Sequence, residues 1–390
     1  MKIVIIIPTY NEKANIEKMI PLLENEIFLQ LKSHEMHILI VDDNSPDGTA
    51  DVVKSFMDKW KNINLLSGTK NGLGAAYIRG MKYAMEHMHA DAVMEFDADF
   101  QHKPTDIPRL IAAMDEGADY VIGSRYIKGG SIPKEWGMDR KFLSVFGNLF
   151  TKIAWRNSHI HDMTSGFKLA RTSVLKKISL DNLLSKNFAY KMQILHDIVQ
   201  VHAKVKEVPI VFNEREIGKS KIKQKDQLES FYVVVRLAIY DNKRFIKFVI
   251  VGGTGFLLQF STVYVSIMLG LEQFIAAMIG GEIAILSNFF LNNLWTFGDT
   301  KSLAAHGNFF LRLVKFNIAS LASIAIQSIV VYVAVKLLGD KVEIWGYSFH
   351  TGIVILLPTI LCLVVPLNYF IYNRFIWKTQ HLKEQHLAEL

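Results

Sequence analysis

The sequence predicts an α/β domain with a mostly parallel sheet, followed by a membrane domain of four transmembrane helices. Three observations predict it. β-branched runs that end in acidic residues alternate with helical patterns over the first hundred residues. Four long apolar stretches follow residue 243. Charge is also partitioned along the 390 residues: 1–120 carry 12 basic and 19 acidic side chains, 121–242 carry 21 and 11, and 243–390 carry 11 and 7. The formal charge of +7 is thus the sum of an acidic, a basic and an apolar segment. With 50% hydrophobic residues and a mean hydropathy of +0.20, the chain is not disordered, and lipid contact is expected. A pI near 9.1 raises nucleic acid as a partner. The basic excess is local and precedes the apolar tail, so a membrane surface or a phosphate is expected and no nucleic acid. The lone Cys362 excludes an internal disulfide and a thiolate metal cluster.

In chain order, Lys2–Ile7 reads as a strand buried on both faces. Its apolar run is too short for a signal peptide, and none is expected. Asn15–Leu31 reads as a helix, His37–Val41 as a strand, Asp51–Trp60 as a helix and Asn64–Leu66 as a short strand. Gly74–His87 reads as a helix and Ala92–Phe96 as a strand. Such a sheet opens its ligand crevice at the carboxyl ends of the strands. Those ends read Pro8-Thr9-Tyr10-Asn11-Glu12, Asp42-Asp43-Asn44-Ser45-Pro46-Asp47-Gly48 and Asp97-Ala98-Asp99-Phe100-Gln101.

Asp97 and Asp99 stand two apart just past a buried strand, where both stay ionised most easily with a cation between them. Two hard oxygen donors suit Mg2+ or Mn2+ completed by substrate phosphates. No dinucleotide glycine fingerprint follows the first strand and no phosphate-loop lysine motif occurs, so hydride transfer and ATP hydrolysis lose support. Lys70–Ala76 opens a helix and reads as its start loop or as a phosphate nest. His87 and His89 read as solvated, and His159 and His161 as loop residues.

Residues 139–156 fit an amphipathic helix with Phe142, Val145, Phe146, Leu149, Phe150 and Ile153 on one side and Lys141, Lys152 and Arg156 beside them. Gln227–Ile239 is a second candidate. On the first helix Arg140 and Ser144 lie four apart and share a face able to grip one phosphate. The spans are Phe245–Leu269, Phe274–Leu294, Leu313–Leu338 and Thr351–Tyr372. Lys243, Arg244, Lys247, Lys301, Arg312, Lys315, Arg374, Lys378 and Lys383 flank them on one side. That bias places both termini and residues 1–242 in the cytoplasm. Glu282 and Asn288, Asn292 and Asn293 fall within the second span, where a polar path, a lipid-headgroup site or interhelical hydrogen bonding is expected.

Pro8–Glu12, Asp42–Thr49, Asn71–Ala76, Asp97–Pro104, Gly123-Ser124-Arg125-Tyr126 and Ser165-Gly166-Phe167 stand in the order seen in family 2 inverting glycosyltransferases. Over about residues 1–225 the chain most resembles the dolichol-phosphate (polyprenyl-phosphate) mannose synthases. Phe248–Gly255 and Asn288–Phe297 resemble the GtrA-like membrane domain fused to some of them. The resemblance implies a GT-A nucleotide-sugar-binding domain at 1–225, an interfacial helix or linker at 226–242, a four-helix GtrA-like membrane domain at 243–376 and a cytoplasmic tail at 377–390.

It further implies that Pro8, Tyr10, Glu12 and Asp42 hold the nucleoside of GDP-mannose. Asp97 and Asp99, with Ala98 and Gln101, would hold the metal and diphosphate, Asp99 being catalytic. Arg125, Arg140 and Ser144 would take the acceptor phosphate. Arg215 and Lys221 would close over the donor, Arg125 and Arg215 contributing to catalysis. His102 favours mannose over glucose, whose transferases often carry an acid at that place. The loop after Asp43 varies in the family, so Asn44 to Asp47 are taken as shaping residues.

The chemistry these residues would serve is transfer of mannose to a polyprenyl or dolichyl phosphate at the bilayer surface. Negative charge then develops on the leaving diphosphate, where a divalent cation and nearby bases stabilise it. A phosphate monoester with a second pKa of ~6 is already largely dianionic at neutral pH, so no general base is needed. Arginine forks suit the task of steering that anion onto an anionic donor. Two alternatives stand beside this expectation: the same transfer from UDP-glucose, and a membrane domain that moves the lipid-linked sugar as a flippase.

Overall fold

The computed structural model describes residues 1–214, 224–298, 308–344 and 347–377. The chain forms two compact units, Met1–Tyr240 and Asp241–Leu390. The first alternates strands and helices: β1 (Lys2–Thr9), α1 (Lys13–Leu22), β2 (Glu35–Asp42), α2 (Thr49–Lys59), β3 (Ile63–Ser67), α3 (Leu73–Glu86) and β4 (Ala92–Glu95). It continues with α4 (Ile107–Asp115), β5 (Tyr120–Ser124), α5 (Met138–Ala154), β6 (Lys168–Arg171), α6 (Thr172–Leu175), α7 (Tyr190–Gln200), β7 (Val205–Pro209) and α8 (Gln224–Asp241).

The seven strands make one sheet in the order β3-β2-β1-β4-β6-β5-β7. All neighbours are parallel except β6, which runs against both β4 and β5. This is the mostly parallel sheet that the sequence predicts. β1 is apolar at nearly every position because both its faces are covered. Ile3, Ile5 and Ile7 pack with Ile16 of α1 and Leu110 of α4, whereas Val4 and Ile6 pack with Tyr77 of α3 and Ile194 of α7. Each such side chain contributes about 1.5–3 kcal/mol by leaving water. Close approach of α3 depends on Gly80, where a Cβ would stand 2.6 Å from Ile6 Cγ2 and 3.0 Å from Val41 Cγ2.

The helix expected over Asn15–Leu31 is present but not uniform. It widens to a π turn at Leu23–Ile27 and tightens to a 3-10 turn at Phe28–Gln30. The change follows Pro21, which has no N–H to keep the regular ladder going.

In the second unit four helices are long and apolar enough to cross a membrane: Lys243–Met268, Gln273–Thr296, Phe309–Leu338 and Val354–Ile376. The protein is an integral membrane protein. Phe248, Phe289, Phe297, Phe316, Tyr372 and Trp377 form an aromatic core within this unit. Trp377 stacks on Phe297 at 4.5 Å and donates from Nε1 to Asn293 Oδ1 at 3.3 Å. Asn288 lies against Gly255, where a Cβ would meet the amide at 2.3 Å. Asn288 and Asn293 thus contact neighbouring helices, but Glu282 does not: its side chain is exposed on the surface of the unit rather than turned inward. The expected grouping of Glu282 with the asparagines is therefore corrected.

Candidate active site

Three strand-end loops meet at the carboxyl edge of the sheet, and each contains a left-handed residue: Asn11 (φ 56°), Asn44 (φ 55°) and Phe100 (φ 57°). Asn adopts that conformation readily, whereas a bulky Phe does so only when its surroundings impose it. The first two loops are stitched together. Asp42, fully buried, accepts from Thr9 Oγ1 at 2.8 Å, Ser45 Oγ at 2.6 Å and Ser45 N at 2.9 Å. Asn11 N donates to Ser45 Oγ at 3.0 Å, Glu12 N to Thr49 Oγ1 at 3.2 Å and Lys13 N to Asp47 Oδ2 at 3.1 Å. Ser45 and Asp47 thus shape the loop, and Asp42 lies beneath the crevice as its staple. Lys70 Nζ sits 3.3 Å from the centre of the Tyr10 ring, which brings the Lys70–Ala76 loop to the end of β1. Pro8 is half-buried on the same edge, and Glu12 Oε2 accepts from Asn15 Nδ2 at 2.7 Å.

Past β4 come Asp97, half-buried, and the buried Ala98, Asp99 and Gln101. Asp97 Oδ1 accepts from Tyr77 Oη at 2.8 Å. Asp99 Oδ1 accepts from Gln101 N at 3.1 Å, and Gln101 Nε2 reaches Asn213 O at 3.3 Å. Among the described residues no third acid, His or Cys joins the two carboxylates in a metal-holding group. Two carboxylates on one turn, with the remaining positions open to substrate oxygens, fit a hard divalent cation such as Mg2+ or Mn2+.

The basic residues approach from the other side. Arg125 is bound in a fork by the fully buried Asp162, Nε to Oδ2 and Nη2 to Oδ1 both at 2.7 Å, and Nη2 also donates to Thr164 Oγ1 at 2.7 Å. Burial opposes the Asp162 charge, yet Arg125 outweighs it and holds the carboxyl below its ordinary value. Ser144 Oγ pairs with Tyr126 Oη at 2.6 Å, and the Arg140 guanidinium lies 3.9 Å over Trp136. Phe212 connects the groups. Its ring lies 5.4 Å from Arg125, 5.8 Å from Trp136 and 4.8 Å from His102, the neighbour of Gln101. Arg125, Arg140 and Ser144 are therefore linked through one contact chain to the acid pair. Arg215 and Lys221 lie outside the described residues.

Sequence reasoning missed a polar layer directly under the acids. Tyr190 Oη donates to buried Glu95, and its ring stacks on Tyr77 at 5.7 Å. Lys168, opposite Glu95 across the β4–β6 pair, donates to Lys191 O at 3.0 Å. Burial, partly offset by Glu95, pushes the Lys168 amine down to about 8. Burial likewise raises Glu95, with Lys168 opposing. His102 is also enclosed. Burial first, then the charges of Arg125 and Lys191, push it down to about 3, so its ring is neutral. The signal for this layer was present only as polar residues inside short strands, which read equally as surface.

Residues 4–179 match Glycosyl transferase family 2, and residues 247–377 match the GtrA/DPMS transmembrane domain. The dolichol-phosphate mannosyltransferase of Pyrococcus furiosus is 36% identical over 337 residues, 85% of this chain and 90% of that protein. That length exceeds either unit, so the likeness runs through both. The polyprenol monophosphomannose synthase of Mycolicibacterium smegmatis is 35% identical over 60% of this chain and 86% of its own length. The undecaprenyl-phosphate mannosyltransferase of Micrococcus luteus is 35% identical over 57% of this chain and 88% of its own.

Proposed function

The chain belongs to the dolichol-phosphate mannosyltransferases of glycosyl transferase family 2, and on that premise we propose that it transfers mannose from GDP-mannose to a polyprenyl or dolichyl phosphate. Transfer takes place with inversion at the cytoplasmic face and yields polyprenyl-phosphate mannose. The observation that carries this reading is the contact chain through His102 and Phe212 between the Asp97–Asp99 pair and the Arg125–Arg140–Ser144 group. A donor site for an anionic leaving group and an acceptor site for a second anion stand side by side.

Asp97 and Asp99, with Gln101, would hold Mg2+ or Mn2+, which when bound neutralises the diphosphate. Tyr77 orients Asp97 by its hydrogen bond, leaving the other carboxylate oxygen to face the crevice. Pro8, Tyr10, Glu12 and the loop stapled by Asp42 receive the nucleoside. Arg140 and Ser144, one turn apart on α5, bind the acceptor phosphate. Arg125 has much of its fork engaged with Asp162 and Thr164, and Asp162 compensates its charge, so it organises the acceptor side beside the Tyr126 that pairs with Ser144. Arg215 and Lys221 complete the donor side. The acceptor's own dianion is the nucleophile, and these residues orient it without removing a proton.

Replacing Asp99 with Ala in the full-length protein in lipid is expected to abolish transfer of labelled mannose to polyprenyl phosphate, with Mg2+ or Mn2+ supplied. Full activity of that variant would overturn the metal assignment.

A further inference from the structure

One cation near the acid pair has no place in the scheme above. Lys191 is the second residue of α7, and its side chain is half-buried. Among the described residues its ammonium has no hydrogen-bond or ion-pair partner, and its one ring contact, Phe188, is at 5.6 Å. Its backbone is held in place: Lys168 Nζ donates to its carbonyl, and the adjacent Tyr190 is tied to Glu95 and stacked on Tyr77, the residue that orients Asp97.

Gly166 shows where that ammonium points. A Cβ built on Gly166 would stand 3.2 Å from Lys191 Nζ, 3.5 Å from Asp97 Oδ2 and 3.6 Å from His102 Nε2. Three polar groups, one from α7 and two from the loop after β4, converge on the space in front of one glycine. No unusual φ demands a glycine at this position, since Gly166 is absent from the positive-φ residues. Its contribution is the missing side chain, which keeps the spot open beside a carboxylate and an ammonium.

We propose that Lys191, with the Gly166 turn as its floor, forms an anion subsite that takes a phosphate oxygen beside the Asp97–Asp99 pair. This rests on the phosphate-transfer reading above and adds to it a ligand beside the acids that is distinct from Arg125 and Arg140. A lysine suits the position because a compact, rotatable ammonium follows an oxygen whose charge changes during transfer, without the fixed plane of a guanidinium. Two sources carry that oxygen, the donor diphosphate and the acceptor monophosphate. The subsite's chemistry is the same for both.

The test uses the full-length protein in lipid, wild type, Lys191→Ala, Lys191→Arg and Gly166→Ala. KM for GDP-mannose and for polyprenyl phosphate are measured separately, with GDP binding in the presence of Mn2+ as a readout that needs no turnover. Lys191→Ala is expected to lower kcat/KM about 10–100-fold, the range of a lost charge-assisted contact, with Lys191→Arg recovering part of it. Gly166→Ala, whose methyl meets only the movable end of Lys191 closely, is expected to lower it as well. A loss of GDP affinity in Lys191→Ala assigns the oxygen to the donor. Unchanged GDP affinity with a raised KM for the lipid assigns it to the acceptor. Wild-type transfer with both Lys191→Ala and Gly166→Ala within twofold in every constant would overturn the subsite while leaving the transferase reading intact. Wild type that makes no sugar lipid at all would overturn the reading on which it rests.

Discussion

At the scale of single residues, the proposed site separates groups that would touch substrate from groups that hold others in place. Tyr77 is of the second kind, buried with its hydroxyl on Asp97 Oδ1. Tyr77→Phe keeps the ring stacked on Tyr190 and removes only that bond, so we expect the Mn2+ concentration for half-maximal activity to rise about 10–100-fold, as for other outer-shell partners of metal ligands. A metal titration at saturating donor checks it. Asp162 holds Arg125 as a buried pair, and removing one member leaves an uncompensated charge. Asp162→Ala should destabilise the first unit by about 3–5 kcal/mol, measured by denaturant unfolding followed through its tryptophans. Because the folded Asp162 carboxyl lies below its ordinary value, its contribution is present above the unfolded pKa of about 3.9 and fades as pH falls through the folded value. Wild type should therefore show an acid-sensitive stability component below about pH 4 that Asp162→Asn lacks.

At the scale of elements, α5 shows an apolar side that no described residue of the first unit covers, whereas α8 buries Val233, Val234 and Leu237 and leaves Leu228, Phe231 and Ile239 exposed. On α5 Phe142, Val145, Phe146, Leu149 and Ile153 are 66%, 51%, 48%, 53% and 68% exposed, so the helix does not bury this face on the sheet. Phe142, Phe146 and Phe150 stack in a row, and Phe150 continues onto Phe231 of α8 at 4.8 Å. A row of exposed rings beside Arg140 and Ser144 suits an acceptor whose phosphate is at the surface and whose tail is in lipid. Phe142→Asp with Phe146→Asp should raise KM for a long-chain polyprenyl phosphate at least tenfold while leaving GDP binding unchanged. Kinetics in liposomes with equilibrium GDP binding decide it. These two helices were legible in the sequence because their 3.6-residue apolar period is strong. β5, β6 and β7 were not. In β6 and β7 the reason is charge: Lys168 lies inside β6 and Glu207 inside β7, and charged residues in four- or five-residue strands erase the apolar run that marks β1 and β2, whereas β5 is short and uncharged and was simply not read. Likewise Asp42 was legible as a strand-end acid, but its place beneath the crevice depends on Thr9, 33 positions away, and on Ser45.

At the scale of the whole molecule, charge and apolarity divide the chain into an acidic, a basic and an apolar region in sequence order. The acids of the first 120 residues supply the strand ends, and the basic excess of the next 122 supplies Arg125, Arg140 and Lys191. The spans carry few charges, and their asparagines serve helix contacts at Gly255 and Trp377. The exposed Glu282 was legible as a costly residue, but its direction depends on helix rotation, which an almost uniformly apolar sequence leaves open. The central claim is the identity of the transferred sugar and its acceptor. The most direct measurement is mass spectrometry of the lipid formed when the full-length protein in liposomes with polyprenyl phosphate receives GDP-mannose and UDP-glucose at equal concentration with Mg2+ or Mn2+. The account predicts a product heavier than the acceptor by one hexose, labelled only when GDP-mannose carries the label, and absent when the cation is chelated. A product labelled from UDP-glucose, or full yield without the divalent cation, would contradict it.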